Sequence, residues 1–180
     1  HDINEESFYE IVEGFIEGYL LGAYNYKEFL KYEGNLPEAL TLVTNELYSK
    51  EKLEKIMEKS KRIVESINLA RNLINMPPNR TSPLMLKDAI VENCFINGLK
   101  VEVFGKNEIS AKKMGGIEAV SKGSSFEPFV VKIIYEPENF KGEFHLGLVG
   151  KGITFDTGGI NLKPSQGLSD MKFDMSGAAA

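Results

Sequence analysis

Between Phe8 and Tyr24 the apolar residues Phe8, Ile11, Val12, Phe15, Ile16, Tyr19, Leu20 and Ala23 recur every three or four positions with acids between them, the period of a helix with one buried face. Gly14, Gly18 and Gly22 stand four apart on the same segment. Glu13 and Glu17 exclude burial of that stripe in lipid, so the glycines predict close helix packing. "ALTLVTNE", Ala39 to Glu46, is rich in Leu, Thr and Val and predicts a short strand. Ser49 then offers an N-cap, and Leu53, Ile56, Met57, Ile63, Val64, Ile67, Ala70 and Ile74 mark a long amphipathic helix. Pro77 and Pro78 must end it, since neither can donate a helical N–H and each clashes with the preceding turn. A domain boundary is placed near Lys50, with the long helix linking two compositionally different parts.

Downstream the pattern alternates: a helix from about Pro83 to Asn97, a strand "LKVEVFG", a short helix around Asn107 to Met114, and strands "FVVKIIYE" and "FHLGLVG". Ser176 to Ala180 read as the first turn of a further helix. Strands interleaved with helices predict an α/β fold with a mixed, largely parallel sheet flanked by helices. No internal repeat or low-complexity tract interrupts it.

Composition narrows the class. In 180 residues, 42% apolar and 26% charged, there is material for an ordinary core. The net charge of −5 supplies no electrostatic basis for holding nucleic acid or an anionic membrane. The lone Cys94 cannot form an internal disulfide, no apolar run reaches ~18 residues, and "HDINEESFYE" has no signal-peptide pattern, so a cytoplasmic protein is expected. Cys94 is expected in the core, and His145, without a His or Cys neighbour at ligand spacing, in a structural role.

Candidate chemistry gathers in "LVGKGITFDTGGINLKPSQGLSDMKFDMSGAAA", Leu148 to Ala180. Glycine-rich backbone after a strand is a common ligand site in α/β folds, yet Lys151 follows what reads as a buried strand, a costly place for a cation. A P-loop would need glycine at 145 and Ser or Thr at 152, where His145 and Gly152 stand; a dinucleotide fingerprint would need Gly or Ala at Phe155. Both fail. Asp156, Asp174 and Asp170 are hard oxygen donors, and Gly158 and Gly159 permit tight turns around a cation. The alternative from spacing alone is a solvated acidic loop with Lys151 and Lys163 as counter-charges.

"VGKGITFDTGG", "LKPS" and "MKFDMSGAA" together resemble the metal-binding core of the leucyl aminopeptidase (M17 cytosolic aminopeptidase) family. "RNLINMPPNRTSP" resembles the start of its catalytic domain, and "VEGFIEGYLLGAYNY" the end of its smaller α/β N-terminal domain. The resemblance implies residues 1–49 as that N-terminal domain's end, 50–76 as the linking helix, and 77–180 as the first half of the catalytic domain, incomplete at Ala180. It implies Lys151, Asp156 and Asp174 as metal ligands and Lys163 as the catalytic lysine. Lys163, Met171, Asp156 and Asp174 are implied to meet the substrate, Met171 lining the pocket for its first side chain. Asp170 has no ligand role in the pattern and is assigned to a loop or helix cap.

Two divalent ions (Zn, Mn, Mg or Co) are implied, bridged by Asp156 around a water. Lys151 could ligate only as the neutral amine, against a free pKa of about 10.4. The family's later Asn-Thr-Asp-Ala-Glu-Gly-Arg segment, which completes both metal sites and holds bicarbonate, is not in this sequence, so the chain is expected to be a fragment lacking some ligands. Short peptide substrates with leucine-type preference and a homo-hexamer are implied; no membrane or nucleic-acid partner is expected. The competing expectation is a metal-poor, non-catalytic structural or accessory protein, nucleic-acid-associated despite its acidic balance, with the same fold.

Overall fold

The computed structural model describes residues 4–29, 39–45, 48–142 and 144–180. The chain divides into two compact units, His1–Asn72 and Leu73–Ala180.

In the first unit, α1 spans Glu5–Gly22 and α2 spans Lys50–Asn75, running past the division. Asn4 starts α1 by accepting the Ser7 amide at 2.8 Å, with Glu5 and Glu6 at the positive end of the helix dipole. Tyr9, Val12 and Ile16 then face Leu53 of α2, and Phe8, Leu20, Leu40, Leu42, Tyr48 and Ile56 pack around them. The Ser49 hydroxyl caps α2 by accepting the Lys52 amide at 3.3 Å, while the Ser49 amide donates to the Tyr9 hydroxyl at 2.9 Å. Ser60, fully buried, donates to Glu17 at 3.4 Å.

Two expectations are corrected here. A Cβ at Gly14, Gly18 or Gly22 would meet nothing within 4 Å among the described residues, and neighbouring Ile11 and Phe15 stay exposed. The close packing of α1 uses the Tyr9–Val12–Ile16 face, where bulk is available, and not the glycine stripe. Residues 39–45 form no strand, and Glu46 lies outside the described residues. Leu40 and Leu42 alternate onto the helix core as a strand would, but no ladder partner stands beside them among the described residues.

In the second unit, Ser82 caps α3, Pro83–Ile96, by accepting the Met85 amide at 3.3 Å, with Pro83 in the first turn. The helix stops at Gly98, whose φ of 66° lets Leu99 donate back to the Cys94 carbonyl at 2.8 Å. Strands β1, Lys100–Phe104, and β2, Val130–Ile134, pair antiparallel with Glu102 opposite Lys132, joined by an ion pair of 3.2 Å. Between them lie α4, Lys106–Ala111, and α5, Gly115–Ser121. A 3₁₀ helix, Leu168–Met175, runs into α6, Ser176–Ala179. Leu86, Cys94, Ile109 and Met175 are buried, and burial raises the Cys94 thiol pKa.

The α/β class stands. The strand pair among the described residues is antiparallel where a largely parallel sheet was expected, because "FHLGLVG" makes no strand. Residues 144–150 find no ladder partner among the described residues, and Leu146, Leu148 and Val149 are 79%, 87% and 101% exposed. An apolar run of this kind marks a segment suited to a sheet interior, and a strand exists only once another pairs with it. His145, on the same run, is exposed.

Candidate metal centre

Two glycines bring the ends of the motif together. A Cβ on Gly150 would lie 2.0 Å from the Gly177 carbonyl oxygen and 2.8 Å from the Ala178 Cα, so the backbone before Lys151 rests directly on the first turn of α6. On the other side a Cβ on Gly177 would lie 3.3 Å from the Lys151 amide nitrogen, a looser approach, and the Ala178 amide donates to the Lys151 carbonyl at 3.1 Å. This contact sets Lys151 beside Asp174, at the end of the 3₁₀ helix. Asp156 is tied to that helix through its amide, 3.4 Å from the Met171 carbonyl oxygen.

The side chains then converge. The Lys151 ammonium donates to Asp156 Oδ2 at 2.9 Å and to Asp174 Oδ2 at 3.2 Å. Lys163 Nζ lies 3.6 Å from Asp156 Oδ1 and 3.6 Å from Asp174 Oδ2, and 2.8 Å from the Met171 sulfur. The five residues singled out in the sequence, Lys151, Asp156, Lys163, Met171 and Asp174, therefore form one cluster. Asp170 stands apart, in the first turn of the 3₁₀ helix, lining a cleft with Pro77, Pro78 and Phe155.

Electrostatics follow from the pairing. The hydrogen bond to Asp156, then that to Asp174, raises the Lys151 pKa. The same bond from Lys151, with a second from the Gly158 amide to Asp156 Oδ1 at 2.9 Å, lowers Asp156 from 3.8 to about 2. The expectation of a buried Lys151 is corrected: its side chain is 51% exposed, because the preceding run is itself exposed, and the carboxylates rather than burial set its ionisation.

The donor chemistry fits a divalent cation in part. Two carboxylates and one amine converge within hydrogen-bonding distance of each other, and no third His, Cys, Asp or Glu joins them among the described residues. These three donors carry two negative charges once the amine is neutral, enough with a water for one four-coordinate divalent ion and short of what two ions require. Reasoning from sequence missed the Gly150–Gly177 backbone contact, which is visible only after folding.

The lysine–aspartate cluster thus lies on glycine-rich backbone in the α/β second unit. Residues 68–180 match the model of the cytosol aminopeptidase family, catalytic domain, and the chain belongs to that family. A probable cytosol aminopeptidase of Tropheryma whipplei (strain TW08/27) is 36% identical over 166 residues, 91% of this chain and 33% of the relative. One of Chlorobium limicola (strain DSM 245 / NBRC 103803 / 6330) is 49% identical over 113 residues, 63% of this chain and 22% of the relative. The solved bottromycin maturation enzyme BotP in complex with Mn is similar with a TM-score of 0.77 at 31% identity, over 95% of this chain and 34% of that one. The cytosol aminopeptidase of Coxiella burnetii shares the fold, with a TM-score of 0.71 at 23% identity over 98% of this chain and 34% of that one. The chain thus spans about a third or less of the length of these relatives. No helix among the described residues is long and apolar enough to cross a membrane.

Proposed function

We propose that the complete protein is a divalent-metal-dependent aminopeptidase that releases N-terminal residues from short peptides. The observation that carries this reading is the meeting of Lys151, Asp156, Lys163, Met171 and Asp174 in a chain of the cytosol aminopeptidase family. Lys151, once deprotonated, Asp156 and Asp174 would hold the metal. Bound there, divalent cations supply Lewis acidity and a water activated for attack on a peptide carbonyl.

The remaining work belongs to the chain's own groups. The two carboxylates orient the substrate's N-terminal end at the cluster. Lys163 donates to the scissile carbonyl oxygen as it gains negative charge. The Met171 thioether, against the Lys163 amine, offers the first side chain a polarizable apolar surface, which suits leucine-type residues. Two metal ions, bicarbonate, a homo-hexamer and a cytoplasmic setting are carried over from the family resemblance as part of this proposal, together with the division into 1–49, 50–76 and 77–180.

The test is release of leucine from leucyl dipeptides by the complete protein loaded with Zn or Mn. Lys163→Ala should lower kcat by about 10²–10³ with metal content unchanged. Absence of release, or equal loss of metal and turnover in Lys163→Ala, contradicts the proposal. A second reading, a metal-poor accessory protein, is favoured by one observation: the two lysines neutralise the two aspartates pair by pair. Metal analysis of the purified complete protein separates the two.

A further inference from the structure

The segment between Asp156 and Lys163 takes an uncommon path. Gly158 (φ 80°), Gly159 (92°), Ile160 (49°) and Asn161 (57°) are successive residues in the left-handed region, and Ile160 is β-branched, a type that rarely occupies it. Packing does not hold this path, since Ile160 and Leu162 are 92% and 80% exposed. Hydrogen bonds do. The Thr157 hydroxyl accepts the Asn161 amide at 3.1 Å, the Thr157 carbonyl accepts the Lys163 amide at 2.9 Å, and the Gly159 carbonyl accepts the Leu162 amide at 3.1 Å. Inside the turn, a Cβ on Gly158 would lie 2.8 Å from Lys163 Cγ, so the lysine stem runs over a bare Cα.

We propose that Thr157 is a positioning residue: its hydroxyl and carbonyl close the left-handed turn that aims the Lys163 amine at Asp156 and Asp174. The role rests on the catalytic reading of Lys163. One residue grips both the middle and the end of the turn, so Lys163 cannot drift without breaking a bond to Thr157. Asp156 is oriented by its own bond to the Gly158 amide, and the same short stretch thereby fixes an acid and the lysine that faces it. Strain of this kind persists only where the surroundings over-determine it.

The test uses the complete, metal-loaded protein. Thr157→Val keeps shape and removes the hydroxyl; Thr157→Ser keeps the hydroxyl. Amide hydrogen exchange at Asn161 should be at least about tenfold faster in Thr157→Val and near wild type in Thr157→Ser. Turnover should fall about tenfold in Thr157→Val with KM and metal content unchanged, and recover in Thr157→Ser. Unchanged exchange in Thr157→Val, or faster exchange with unchanged kcat, overturns the proposal. Should Thr157→Val not fold, Thr157→Ala decides: a fall in kcat at constant metal content that Thr157→Ser does not share supports the positioning role, and normal kcat overturns it. If wild-type protein releases no amino acid, the peptidase reading fails, and the exchange rates still determine whether Thr157 closes the turn.

Discussion

Gly150→Ala tests whether the meeting of Lys151 and Asp174 depends on bare backbone. Gly150 is not among the positive-φ glycines, so alanine fits its conformation and space alone decides the outcome. The added methyl would sit 2.0 Å from the Gly177 carbonyl oxygen and 2.5 Å from its carbon, both backbone atoms of α6 that no rotamer change can clear. Restoring an ordinary carbon–oxygen contact of roughly 3.3 Å requires the two segments to part by about 1 Å. Such overpacking costs about 1–3 kcal/mol, offset by less than about 1 kcal/mol from a stiffer unfolded chain. For a net loss of about 1–2 kcal/mol, at roughly 2–4 °C per kcal/mol, Tm should fall by about 2–8 °C. The same separation carries the Lys151 to Asp174 contact beyond its 3.2 Å, so zinc affinity should drop at least about tenfold, or 1.4 kcal/mol. Gly152→Ala is the control: its methyl would meet only the Ala178 side chain, at 3.3 Å, and should cost far less. The assay is thermal unfolding of the complete, chelator-treated protein, followed by calorimetric titration with zinc. A Gly150→Ala protein with wild-type Tm and wild-type affinity would refute the reasoning.

Two further outcomes concern pH. Asp156 is held at about 2 against 3.8 when free, a lowered pKa, so its contribution to metal-free stability is present above about pH 4 and lost as pH falls toward 2. The shift corresponds to at most ~2.5 kcal/mol; urea midpoints between pH 2 and 5 should show that loss, and Asp156→Asn should flatten it. Lys151 is raised by the same partners, so ligation requires removing a tightly held proton. Zinc affinity should therefore increase from pH 6 to pH 8.5 with net proton release in calorimetry performed in two buffers, and a pH-independent affinity would count against Lys151 as a ligand.

Local signals made much of the fold legible. The helical period and capping serine of α2, the proline pair after it, the start of α3 at Pro83 and the Val- and Ile-rich runs of β1 and β2 all act within a few residues, and each produced the expected element. What was not legible depends on partners distant in sequence. "FHLGLVG" has the composition of an interior strand and lacks a ladder; Leu40 and Leu42 alternate onto helices; the Gly14–Gly18–Gly22 stripe packs on nothing described. At the cluster, residue types alone offered Asp156, Asp174 and Asp170 as oxygen donors and left a solvated loop open; it is the resemblance to the leucyl aminopeptidase family that implied Lys151, Lys163 and Met171 beside them and set Asp170 aside. The left-handed turn at Ile160–Asn161 and the Gly150–Gly177 contact were invisible, since a glycine in a sequence does not say which backbone it admits.

Crystals of the complete protein soaked in zinc, with anomalous scattering used to place the metal, address the central claim most directly. The account predicts an anomalous peak about 2.0–2.2 Å from Lys151 Nζ and from carboxylate oxygens of Asp156 and Asp174, the amine no longer paired with the acids as an ammonium. Zinc bound elsewhere, with Lys151 Nζ still 2.9 Å from Asp156 Oδ2, would contradict it.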